Sequence, residues 1–117
     1  MNFNEYQNQA IQTDVAYNAT TDSARYNGYM EKALGLAGET GEVLEIIKKM
    51  IRDKGGVFET AQEDREKLRK ELGDVLWYLS TLAFYNDIRL EDIAKTNLEK
   101  LASRQWRDKI HGSGDDR

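Results

Sequence analysis

Glu39 and Glu42 in the string ETGEVL, and Glu71 and Asp74 in ELGDVL, form two acid pairs of identical spacing. At about 100° per residue, Glu39 falls beside Leu36, Val43 and Ile47, with Glu42 on its other side. Glu71 and Asp74 stand in the same relation to Leu68, Val75 and Leu79. If the two apolar stripes pack together, four carboxylates converge at the rim of the core. Surface pairing one turn along would be the plainer explanation. The i+4 positions, however, are Val43, Ile46, Val75 and Tyr78, so only Lys67 and Lys70, one turn before Glu71 and Asp74, leave such pairs open. Gathered carboxylates repel, and without a counter-ion some would hold protons. A hard divalent cation with oxygen ligands removes that cost, and Mg²⁺ held this way keeps waters and completes its shell with phosphates. Di-iron and zinc chemistry need histidines, and the one histidine is His111 near the end of the chain.

A second constellation lies in NLEKLASR, where Asn97, Lys100 and Arg104 share a helix face. Asn97 falls within the stripe of Leu90, Ile93, Ala94 and Leu101, so a buried amide is expected there, with the two cations at its margin placed to meet phosphate oxygens. Lys49, on the Glu42 side of its helix, is a further candidate of the same kind. Tyr78 and Tyr85 share the angular sector of Glu71 and Asp74 and are the aromatic residues expected near the acids; Trp77 points to an oligomer contact or a surface patch. Gly41 and Gly73 each sit mid-helix away from the apolar stripe, at a cost of roughly 1 kcal/mol against alanine. That suggests close approach by another helix or a ligand.

The elements that must carry these residues are helices. The first is expected from near Asn4, with Asn4 and Gln7 as a capping-box variant, and takes Phe3, Ala10, Ile11 and Val15. The second starts between Asp22 and Tyr29, carries Leu36, Val43, Leu44, Ile47, Met50 and Ile51, and stops at Gly55 and Gly56. GGVFETAQED reads as a connection. The third helix takes Leu68, Leu72, Val75, Leu76, Leu79, Leu82 and Ala83 until YNDIR breaks it, and the fourth takes Leu90, Ile93, Ala94, Leu98 and Leu101. The expectation is an all-α domain over residues 1–110 with four main helices, followed by a disordered tail over 111–117.

With 117 residues, of which 39% are hydrophobic and 32% charged, a lone chain has little core to bury. The bundle is therefore expected to complete its core by homo-oligomerisation. A formal charge of −4 without a block of Lys and Arg argues against a nucleic-acid partner. No apolar run approaches the roughly 20 residues that span a bilayer, no signal-peptide pattern opens the chain, and there is no cysteine. A cytoplasmic protein is the expectation.

GLAGETGEVLEIIKK, ELGDVLWYL and NLEKLASR together resemble the MazG-like nucleotide pyrophosphohydrolases of the all-α NTP-pyrophosphatase superfamily, from Leu34 to Arg104. The family's metal motif, Glu-x-x-Glu, a variable spacer, then Glu-x-x-Asp, matches Glu39, Glu42, Glu71 and Asp74. The resemblance implies Mg²⁺-dependent hydrolysis of a (deoxy)nucleoside triphosphate to the monophosphate and pyrophosphate, with Mn²⁺ as a substitute and a housecleaning role in the nucleotide pool. It also implies a homodimer or homotetramer. The four acids would hold the metal and help activate a water that attacks the α-phosphorus, with Glu39 or Glu42 as the base. Asn97, Lys100 and Arg104 match the family's C-terminal substrate contacts. Gly38 stands where some relatives have a second glutamate, and the first 30 residues match least. Phosphoribosyl-ATP pyrophosphohydrolases and all-α dUTPases share the metal logic, so base and sugar preference stay open. From another class, a catalytically silent helical dimer that binds nucleotide or protein is the competing reading.

Overall fold

Asn2 starts the first helix, two residues earlier than the sequence suggested. In the computed structural model, which describes residues 1–55 and 62–117, α1 spans Phe3–Gln12. Its capping box is Asn2 with Glu5: the Glu5 amide donates to Asn2 Oδ1 at 2.8 Å and the Asn2 amide to Glu5 Oε2 at 3.0 Å. Gln7, expected to serve as the box's second member, is buried and does something else. Its amide nitrogen donates to the carbonyls of Ser80 (3.2 Å) and Ile88 (2.9 Å), and its oxygen accepts from the Leu90 amide at 3.1 Å. Leu90 opens α4 (Leu90–Trp106), whose own N-cap, Arg89, makes no side-chain cap bond. Gln7 thus satisfies one of the amides that a helix start leaves without an internal partner.

α2 spans Asp22–Lys54 and is capped by Thr21, whose hydroxyl accepts from the Ala24 amide. It ends on Gly55 at φ 66°, a left-handed stop that glycine adopts without a Cβ penalty. α3 spans Gln62–Tyr85. Gln62, Glu63 and Asp64, expected in the connection, are therefore helical, and Asp64 forms an ion pair with Lys54 that ties the first turn of α3 to the last turn of α2. The rest of the expected connection, residues 56–61, lies outside the described residues. YNDIR is a Schellman stop: the Ile88 amide bonds the Ala83 carbonyl at 2.9 Å, the Asp87 amide bonds Phe84 at 3.0 Å, and Asp87 takes φ 56°.

The architecture is all-α, with no strand among the described residues. α2 and α3 form a long antiparallel hairpin; α1 packs on α3 and α4, and α4 touches α3 slightly and α2 not at all. Among the described residues, the buried apolar ones are Ala10, Ile11, Ala83 and Leu90. Part of each expected stripe faces outward. Leu36, Val43 and Met50 are half-buried, whereas Leu44 is 59% exposed and Ile51 58%. Leu72 and Leu98 are also exposed, and Val15 lies outside α1. The radius of gyration is 17.5 Å, against about 13 Å for a compact chain of this length. A 33-residue helix is about 50 Å long, and among the described elements only α3 packs along it. No helix among the described residues is long and apolar enough to cross a membrane.

Candidate metal centre

Three contacts mark the α2–α3 seam from one end to the other: Lys54 with Asp64, Gly35 with Tyr78, and Gly28 with Tyr85. The Tyr78 ring lies so close over Gly35 that a Cβ there would overlap it. Between the first two contacts sit the acids. One carboxylate oxygen from each of Glu39, Glu71 and Asp74 falls within 4.8 Å of the others. Glu39 and Glu71 are half-buried and Asp74 is exposed. Glu42 is exposed and lies outside this trio, although it stands to Glu39 as Asp74 stands to Glu71.

None of the ion pairs among the described residues involves these four acids; Lys67, a candidate partner for Glu71, pairs with Glu63 at 2.9 Å. Burial, together with the charges of Asp74, Glu71 and Glu42, holds the Glu39 carboxyl above its ordinary range. That is the mark of negative charge gathered without compensation. An all-oxygen donor set from three carboxylates on two helices fits a hard divalent cation of the Mg²⁺ or Mn²⁺ kind.

Tyr78 is packed rather than free: its ring covers Gly35 and meets Trp77 edge-on at 4.9 Å. Trp77 is not a surface patch, since its Nε1 donates to Thr13 Oγ1 at 2.8 Å and ties α3 to the end of α1. The aromatic group that senses the acids is Tyr6, whose phenol is pushed up by burial and by the Asp74 charge. Tyr6 also lines a cleft of about 520 Å³ with Phe3, Leu76, Ala94 and Leu98, and with Glu91 and Lys95 at its edge. Gly41 and Gly73 face open space, so none of the described residues makes the close approach expected there.

The remaining predicted residues stand apart from the acids. Asn97 is exposed rather than buried, because α4 does not pack on α2 and its outer half, including Leu98 and Leu101, faces outward. Asn97 and Lys100 line a separate cavity of about 400 Å³ with Ile88, Asp92, Ile93 and Thr96. Arg104 is buried, and both it and Lys100 bond to Asp115. Lys49 lies 3.6 Å from Glu45 and lines a cavity near the hairpin's free end with Asp53 and Lys54.

A buried charge network escaped the sequence reading altogether. Lys32 is fully buried on α2, with its Nζ 2.7 Å from Asp14 Oδ1 and 3.2 Å from Glu31. The Tyr85 hydroxyl donates to Asp14 Oδ2 at 2.6 Å. Burial pushes the Asp14 carboxyl up, but the hydrogen bonds from Lys32 and Tyr85 outweigh it and hold it below its ordinary value. Burial and the Asp14 bond raise Tyr85. Tyr85, expected near the acids, belongs here instead. The sequence offered one signal, a lysine one turn ahead of Leu36 amid helical apolar spacing, with no partner evident nearby.

A comparison with solved structures finds no match. Among curated proteins, the Gene 37 protein of Mycobacterium phage L5 is 42% identical over 117 residues, the full length of both chains. The family model for the MazG nucleotide pyrophosphohydrolase domain matches residues 29–107, which contain all three converging acids together with Glu42. With most of its length matched and an acid cluster of the right chemistry on α2 and α3, the chain belongs to the MazG nucleotide pyrophosphohydrolase family.

Proposed function

We propose that the chain hydrolyses a (deoxy)nucleoside triphosphate to the monophosphate and pyrophosphate, with Mg²⁺ as the working cation, in a cytoplasmic nucleotide-pool role. The observation that carries this reading is the convergence of Glu39, Glu71 and Asp74, none of which is ion-paired among the described residues. These three hold the metal, which when bound supplies the positive charge that offsets the triphosphate. Glu42, outside the trio, is the carboxylate free to take the proton of the water that attacks the α-phosphorus. The base and sugar lie in the cleft beside Tyr6 and Phe3. Asn97, Lys100 and Arg104 meet the phosphates.

Since α4 does not reach α2 within one chain, a second copy brings these groups to the acids. The exposed Leu44, Ile47 and Ile51 on the hairpin arm support such docking as a homodimer or a tetramer built from it. Mixing Glu71→Gln chains with Lys100→Ala chains tests this: each is slow alone, and activity returns on mixing only if the two groups come from different copies.

The decisive experiment is a panel of nucleoside triphosphates with Mg²⁺, scored for pyrophosphate against orthophosphate. Pyrophosphate from at least one member is expected. Release from none at any metal concentration would leave the silent nucleotide-binding dimer as the better account. Glu42→Gln should keep the Mg²⁺-induced rise in Tm and lose turnover, whereas Glu71→Gln should lose both.

A further inference from the structure

Lys100 and Arg104, one turn apart on α4, share a single anion. Asp115 Oδ1 lies 3.1 Å from Lys100 Nζ and 3.3 Å from Arg104 Nη2. The same Arg104 nitrogen donates to the carbonyls of Asp115 at 2.7 Å and Gly114 at 3.2 Å. Arg104 is only 5% exposed, and its Nε is buried with no acceptor among the described residues. A buried guanidinium with an unused donor, beside an ammonium, is an anion site with capacity left over.

The present occupant of that site is weakly held by comparison. The Asp115 side chain is 83% exposed, and exposed ion pairs are weak and screened by salt. The segment that carries it is closed on itself. Arg117 donates to the carbonyls of Gly114, Ile110 and Lys109, and Arg107 donates to the Arg117 carbonyl. Gly112 at φ 117° and Gly114 at φ 84° allow the reversal. A tail expected to be disordered thus presents one carboxylate to the two cations on this face of α4.

We propose that Asp115 occupies the place of a phosphate group, so that the segment over residues 110–117 competes with the substrate's phosphates for Lys100 and Arg104. The proposal rests on the reading of these two cations as phosphate contacts, and it adds the regulation of that contact: the tail must lift when a polyphosphate arrives. A di- or trianion brings more charge to the pair than one carboxylate does, and the idle Arg104 Nε gives it a donor that Asp115 does not use.

The test uses the full chain, metal-free, with inorganic tripolyphosphate as the probe. Asp115→Asn and Asp115→Ala should bind it about fivefold more tightly than the unmodified chain at low salt, because the competitor is gone. Lys100→Ala should bind it more weakly. In the unmodified chain, hydrogen exchange at residues 112–115 should speed up when tripolyphosphate is added, which simple loss of a repulsive charge would not produce. Equal affinity in Asp115→Asn and the unmodified chain would overturn the proposal, and so would unchanged exchange. A pyrophosphate assay on the same proteins separates the two readings. Tighter tripolyphosphate binding with no turnover of any nucleotide sinks the proposed hydrolysis and leaves the competing tail standing. Turnover with unchanged KM and unchanged tripolyphosphate affinity does the reverse.

Discussion

Two turns of α2 separate Lys32 from Glu39, and over that distance the α2–α3 seam changes from charge balance to charge conflict. Around Lys32, a buried cation and a phenol both bond one buried carboxylate at 2.6–2.7 Å, and pairing holds the carboxyl down and the ammonium up against burial. Around Glu39, three carboxylates meet with no ion pair among the described residues to offset them. The first arrangement ties the turn after α1 to the hairpin. The second stores repulsion that a ligand can relieve. A structural charge cluster and a functional one thus differ less in composition than in whether the chain itself supplies the counter-charge.

The comparison breaks most readily at its balanced end. Lys32→Met removes the cation and leaves Asp14 buried alone, which should cost about 3–5 kcal/mol in a urea titration. Adding Asp14→Asn should restore much of that loss, because a neutral pair needs no counter-charge. Next in size is the pair of glycine changes. Gly35→Ala drives a methyl into the Tyr78 ring and should cost about 1–3 kcal/mol. Gly41→Ala, in open space, should instead stabilise the isolated chain by up to about 1 kcal/mol through helix propensity. If that stabilised chain no longer binds Mg²⁺ or self-associates, the close approach at Gly41 comes from a ligand or a second copy.

The conflicted end is sharpened by pH. The Glu39 carboxyl is raised in the folded chain, so its contribution to stability is present when it is protonated and is lost as pH rises through its raised value. Without metal, Glu39→Gln should therefore melt higher than the unmodified chain at pH 7. The gap should close as the pH falls through the carboxylate range, and Mg²⁺ should close it from the other side by stabilising only the unmodified chain. A gap that does not change with pH would mean that Glu39 carries no such conflict. The smallest expected effect is at Asp87, where glycine should relieve the left-handed backbone and stabilise the chain by about 0.5 kcal/mol.

Much of this was legible in the residues. The three long helices follow from apolar spacing with Gly55 and the YNDIR break as punctuation, and Glu39, Glu71 and Asp74 were readable because identical spacing on two adjacent helices brings them together. Gln7, Lys32 and Gly35 were not, because their roles depend on partners up to 83 residues away that only the packed helices bring near. Asn97 was placed in the core by its stripe, yet periodicity names the face that seeks cover and not whether the chain provides it. The tail went unread for a similar reason: glycine and charge suggest disorder, while the order comes from Arg104, Arg107 and Arg117 bonding to carbonyls.

The Gln7 clamp has a consequence for the order in which the molecule is built. α1 is synthesised before the groups its glutamine must reach, at Ser80, Ile88 and Leu90, which are made long after it. During synthesis, domains tend to fold as units and exposed segments wait for their partners. In a nascent chain Gln7 therefore waits for its last partners until the start of α4 has emerged, and the first turn of α4 has its borrowed cap only from that moment. That contact joins residues 83 positions apart along the chain.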